Sequence, residues 1–261
     1  MYILKNLAIL LLITLLITGS CKNSLIKDLS LTAKEYQKMG MTDQPKLNST
    51  HDYLRVLSTI NQLRAGNPLA FPRKHSKKSG AVFSSFINKE NLSFADDDGL
   101  PLSERALRIQ SFSTFQNSLI LAYTDNLKSE QYYNEELIDL YVYQLYVRTK
   151  MFNLAAKIMN SKEETDISMQ PGLTVVLNGY NSLINIILDE QAKTKVYHPG
   201  DLERLSMEVS RSIIENIEWI VPAERAKIAL KVRCTIEHST SEYIKNNYHN
   251  ALKSLNEKVF F

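Results

Sequence analysis

Cys234 and His238 stand four residues apart, a spacing that puts both on one face of a helix and would suit a thiolate and imidazole pair or two ligands of a metal ion. A nucleophile also needs a third group to orient its base, and a metal needs further ligands. The sequence nominates neither, so the plainer reading is a small buried cysteine beside a surface histidine. Asp96, Asp97 and Asp98 before Gly99 suggest a calcium loop. That pattern needs an acid where Phe94 stands and a glutamate where Arg105 stands, so the triplet reads as a solvated turn. Arg73, Lys74, His75, Lys77 and Lys78 form a basic cluster that could hold lipid head groups, a polyanionic surface sugar or an acidic partner. Tyr132, Tyr133, Tyr141, Tyr143 and Tyr146 could line a ligand groove, although at helical spacing such side chains more often fill a core with their hydroxyls wetted. The chain has no phosphate-binding glycine loop, no His-Glu-x-x-His and no Gly-x-Ser-x-Gly. No catalytic residue, metal site or cofactor is expected.

The elements that would position these residues are constrained by composition. Of 261 residues, 44% are hydrophobic and 23% charged, values close to those of ordinary folded domains. A formal net charge of +3 is too mild to argue for a nucleic-acid partner. Eight glycines and seven prolines are few for a turn-rich β protein, so a mainly α chain is expected.

The first twenty residues have the anatomy of an export signal. Lys5 supplies a positive start, Leu7 to Ile17 are apolar apart from Thr14, and Thr18, Gly19 and Ser20 are small. The apolar run is short for a helix that crosses about 30 Å of hydrocarbon, although a retained anchor over Tyr2 to Ile17 is the competing reading. Leu16 to Cys21, an apolar stretch ending in small residues and a cysteine, resembles the lipobox of bacterial lipoproteins. The resemblance covers residues 1 to 21 only. It implies that the signal is removed before Cys21, that the Cys21 thiol carries a diacylglycerol, and that the new amino terminus is acylated. Two or more acyl chains hold a protein to a bilayer stably. Lys22, in place of an aspartate, implies by the same resemblance the outer membrane. Ordinary cleavage after Ser20 is the alternative, and it would leave Cys21 free or bridged to Cys234, the only other cysteine.

Residues 21–47 are polar and read as a lipidated tether, with residues 48–261 as one helical domain. Ser49 and Asp52 have the spacing of a helix cap, with Tyr53, Leu57, Ile60 and Leu63 as the apolar stripe behind it. Asn67 to Gly99 is expected to be a long surface loop with one short element near Val82 to Ile87, and any binding surface would be sought there. Ser103 is expected to cap the next helix, with Leu102 and Leu107 as a hydrophobic staple. Glu135 to Arg148 is apolar nearly all round and should lie deep in the core. Leu137 to Met159 faintly resembles a tetratricopeptide unit, with a turn near Thr149 and Lys150 between two helices. Leu173 to Leu188 forms another helical stripe. Asp201 is expected to cap a helix whose inner face is Leu202, Leu205, Val209, Ile213, Ile217 and Ile220, which Pro222 ends. Ile228 to Ile236 alternate as a strand would, yet Ala223 to Lys227 favour a helix. Ser239 and Glu242 read as a second capping box.

The fold expected from these signals is a helix-hairpin bundle or an irregular α-α superhelical array, with a tether and one long irregular loop. The function expected is that of a lipid-anchored extracytoplasmic protein that binds membrane lipid through Cys21 and a protein partner through its helices. A ligand carrier or enzyme with a site between the tyrosines and the Asn67 to Gly99 loop, and a surface adhesin using the basic loop, are the alternatives.

Overall fold

Ser49 opens the first long helix for the reason its position suggests: its Oγ accepts the Asp52 N–H at 3.3 Å and satisfies one of the free donors of the first turn. The structure, a computed structural model, describes residues 28–41, 47, 49–125, 133–163, 168, 172–192 and 197–257. Among the described residues there are nine α-helices and no strand, a mainly α fold. They are α1 (Ala33–Lys38), α2 (Thr50–Gly66), α3 (Gly80–Phe86), α4 (Leu102–Asp125), α5 (Asn134–Asn160), α6 (Leu173–Gln191), α7 (Pro199–Glu215), α8 (Pro222–His238) and α9 (Glu242–Glu257). No described helix is long and apolar enough to cross a membrane.

The spine is α5, a single helix of 27 residues, about 40 Å long at ~1.5 Å per residue. It touches α4 on one side and α6 and α7 on the other, while α2 packs on α4, α8 on α6, and α9 on both α7 and α8. The expected turn at Thr149 and Lys150 is absent, because neither glycine nor proline interrupts the run and Met151, Phe152 and Leu154 bury the continuing turns. The hairpin reading of Leu137 to Met159 is therefore corrected: the antiparallel partners are α4 and α5.

Ile228 to Ile236 are helical, and the alternation was coincidental: Ile228 and Val232, four apart, are fully buried while Leu230 is 67% exposed. The stripe from Leu202 to Ile220 is buried as expected, but the helix that carries it ends at Glu215 with Asn216 as its C-cap, and Ile217–Trp219 form a separate short helical turn before Pro222. Three caps differ from expectation. His198, not Asp201, caps α7 by accepting the Gly200 N–H on Nδ1, with Pro199 as first helical residue. Ser103 lies inside α4, and Leu107 is 57% exposed, so no staple forms. The residue before α9 is Ser241, whose Oγ accepts the Ile244 N–H and donates to Glu203.

Two larger differences concern segments expected at the periphery. The described part of the tether is packed on the body, with Tyr36 and Leu47 fully buried and Met41 nearly so. Thr32 and Glu35 form a reciprocal capping box for α1. Residues 67–99 are not a surface loop either, because Ala70, Phe71, Val82, Phe83, Phe86, Leu92, Phe94 and Ala95 are core residues. Only α3 matches the short element expected there.

An irregular segment can be buried only if its backbone polar groups find partners. The tyrosines supply them. Tyr36 donates to the Ala70 carbonyl at 2.6 Å, Tyr123 to Pro72 at 2.8 Å and Tyr143 to Asn88 at 2.7 Å. Tyr133 accepts the Phe71 N–H and donates to the Pro68 carbonyl, both at 3.0 Å. The rings of Tyr123, Tyr133 and Tyr143 pack on Phe71, Phe83 and Phe112 at centroid distances of 5.1 to 6.0 Å. Tyr133→Phe removes two of these bonds and leaves the buried Phe71 N–H unpaired, so it should cost about 1 to 3 kcal/mol in a urea denaturation.

Candidate functional site

The basic cluster at residues 73–78 lies against the first two turns of α5, where Glu135, Glu136 and Asp139 already suit the positive helix end. The Lys74 N–H donates to Glu136 Oε1 at 2.8 Å, and Arg73 Nε lies 3.8 Å from the same oxygen. Lys74 Nζ and the Arg204 guanidinium of α7 both reach Asp139, at 2.9 and 2.5 Å. His75 meets Glu135 at 3.0 Å, and Lys78 donates to the Asp28 and Ser30 carbonyls. Lys77 is exposed. The cluster is thus largely occupied in holding the segment to the helix. Burial pushes the Glu136 carboxyl above its ordinary range, and the Lys74 N–H and Arg73 only partly offset this.

The other sequence candidates separate in space. Asp96 pairs with Lys150, Asp98 with Arg105 and Lys157, and Asp97 accepts the Gly99 N–H. Among the described residues no group of three or more His, Cys, Asp or Glu could hold a metal ion. Cys234 and His238 do share a face of α8, with Sγ 3.6 Å from Nδ1. Cys234 is exposed rather than buried, and Nδ1 also lies 2.8 Å from the Cys234 carbonyl. That bond requires the proton on Nδ1, which makes this nitrogen a poor base for the thiol. Between the tyrosines and residues 67–99, the rings of Tyr123 and Tyr133 pack directly on Phe71, and that of Tyr123 also on Phe83. Residues 1 to 27, with Cys21 and the run that resembles a lipobox, lie outside the described residues, as does Tyr132.

A groove of about 100 Å³ opens elsewhere, between α4, α5 and α6. Ala106 and Ile109 line it from α4, Met151 and Ala155 from α5, and Val175 and Val176 from α6. The lining is apolar because three helical stripes converge there. Exposed apolar side chains also gather around it: Leu107 shares a face with the lining Gln110, Met159 shares one with Ala155, and Val175 is 64% exposed.

One helical turn along, Arg148 of α5 is 93% buried by its 7% exposure and meets no acid among the described residues. Its Nε has no hydrogen-bond partner, and its Nη1 has only the Met151 sulfur at 3.9 Å. Burial alone pushes the guanidinium down to about 10, so it remains a cation at neutral pH. Gly179 of α6 lies opposite. A Cβ there would stand 2.8 Å from Nη1 and 3.1 Å from Nη2, so the glycine makes room for the guanidinium. A glycine inside a helix costs roughly 0.5 to 1 kcal/mol relative to alanine, and an unpaired buried charge costs more. Two costly choices therefore meet beside the groove.

Sequence reasoning passed over both residues. The available signal was an arginine in register with Tyr141, Leu145 and Phe152, all core residues, and a glycine inside the strong α6 stripe. In comparisons with known proteins, no family model, no curated protein and no solved structure matches this chain.

Two outcomes follow from the charges. A raised Glu136 pKa means that the folded state binds the extra proton, so its contribution to stability falls as pH rises above about 4.5 toward the raised value. Glu136→Gln removes that dependence, so the variant's melting temperature relative to the parent should be higher at pH 7 than at pH 4.5. Arg148→Met replaces an unmatched buried charge by an apolar chain of similar length and should raise the unfolding free energy by about 1 to 3 kcal/mol in urea.

Proposed function

We propose that this chain is a bacterial lipoprotein held by acyl chains on Cys21, outside the cytoplasm and at the outer membrane. There it works by binding a protein partner, as a scaffold, an assembly helper or an immunity factor. The observation that carries the binding half is the groove between α4, α5 and α6, where apolar surface from three helices meets solvent and Leu107, Met159 and Val175 stay exposed around it. A concave apolar site open to solvent is where a partner's side chain would dock. The lipobox-like run ending at Cys21 supports the address. The basic loop supports no adhesin role, since Arg73, Lys74, His75 and Lys78 are engaged within the fold.

Mass spectrometry of the native protein should give a mature chain that begins at Cys21 and carries diacylglycerol and acyl mass, lost in Cys21→Ala. A native chain beginning at Met1, or an unmodified Cys21 thiol, overturns the address. For the binding half, a photo-crosslinking residue at Val175 should capture a discrete protein adduct on intact cells, while the same residue at the exposed Leu54 of α2 should not. Equal labelling from both positions, or none from Val175, overturns the groove as the docking surface.

A further inference from the structure

The groove is small. About 100 Å³ lies between the ~30 Å³ share of one water and the ~150 Å³ cavity that admits benzene, which is room for one branched aliphatic side chain. Beside it stands a cation that the fold leaves without an anion. The Arg148 guanidinium touches the Met151 sulfur, and Met151 lines the groove. Gly179, which leaves the space that the guanidinium fills, lies one turn beyond Val175 and Val176, which line the groove from α6. The site therefore offers an apolar compartment and, behind the Met151 side chain that lines it, a positive charge whose Nη1 lies 3.9 Å from the Met151 sulfur.

A polypeptide's last residue matches both features, because its side chain and its free carboxylate leave the same carbon. We infer that the groove captures the C-terminal residue of a partner polypeptide, with an aliphatic side chain between α4, α5 and α6 and the terminal carboxylate on Arg148. This rests on the groove reading above and deepens it. Met151 must swing aside, which its unbranched side chain permits, and a weak sulfur contact is exchanged for two charge-assisted N–H···O bonds from a planar fork suited to a carboxylate. In a desolvated setting that pairing restores the balance that the free protein lacks.

The test uses the full-length chain in detergent and fluorescent peptides ending in leucine, in valine or in lysine, each as free acid and as C-terminal amide, read by anisotropy. The free acids ending in leucine and valine should bind. Amidation should weaken them by about tenfold or more, the scale of one lost charge-assisted interaction. In Arg148→Met and in Gly179→Ala the acid should bind as weakly as the amide, so that the amidation penalty disappears. Thermal melts of both variants should show a folded protein at least as stable as the parent. Ala155→Trp, which fills the groove, should abolish binding of acid and amide alike.

Equal binding of acid and amide that is still lost in Ala155→Trp would overturn the carboxylate role and leave the groove reading standing. Loss of the acid on Arg148→Met with no effect of Ala155→Trp would overturn the side-chain compartment. Displacement of the peptide acid by 4-methylpentanoate at equal concentration would identify a small free carboxylate as the ligand and overturn the polypeptide assignment. Absence of binding by every peptide at millimolar concentration overturns the inference as a whole.

Discussion

A helix buried on nearly every side must find partners for each polar group it carries, and α5 is such a helix. From Asn134 to Ile158 it contributes seventeen buried residues, Glu136, Asp139, Gln144 and Arg148 among them. Much of what surrounds it answers the first three, and Arg148 is the exception. The two acids sit in the first turns, where the helix end itself favours negative charge. They draw in the backbone and side chain of Lys74 from one direction and Arg204 from the other. Gln144 donates to Ser113 and Asn117 of α4. Asp139, which holds Lys74 to α5, therefore also ties Arg204 of α7 to it.

The buried irregular segment follows from the same constraint. Residues 67–99 carry aromatic side chains too large to leave in water, yet the two prolines at 68 and 72 prevent a continuous helix from delivering them. The chain bends instead through short helical turns, and the carbonyls exposed by each bend fall opposite tyrosine hydroxyls. An apolar residue at these tyrosine positions would fill the volume and strand the carbonyls. Burial raises the pKa of Tyr36, Tyr123 and Tyr143 far above the usual phenol, so they remain neutral donors across any physiological pH.

How much of this was legible depends on whether the signal was local. Helix type and inner faces were, because a spacing of three and four is written in the chain itself, as in Leu202 to Ile213. Ser49 and Pro222 were, because a cap or a first-position proline acts within one turn. The choice among neighbouring serines was not: Ser241 wins over Ser239 where its hydroxyl also reaches Glu203, a residue 38 positions away. The burial of Tyr36 and the fate of the basic cluster were likewise unreadable, because both depend on partners on other elements. Cys234 and His238 were placed on one face correctly, and the exposure of Cys234 could not be read from an alternation that fitted helix and strand equally.

Arg148 and Gly179 were the hardest to see because each looks ordinary alone. An arginine in a helix is common, and a glycine in a helix is tolerated. Their meaning appears only when α5 and α6 are side by side: the glycine removes the one atom that would displace the guanidinium, and nothing in the described fold answers the charge it admits. A fold shaped only for stability would place methionine and alanine there. Under the proposal made above, a cation beside an apolar groove specifies the ligand's chemistry more narrowly than the groove alone. The unmatched charge also sharpens selectivity, since a ligand that brings only an apolar side chain leaves the guanidinium buried and unpaired, while one that brings a carboxylate with it satisfies both.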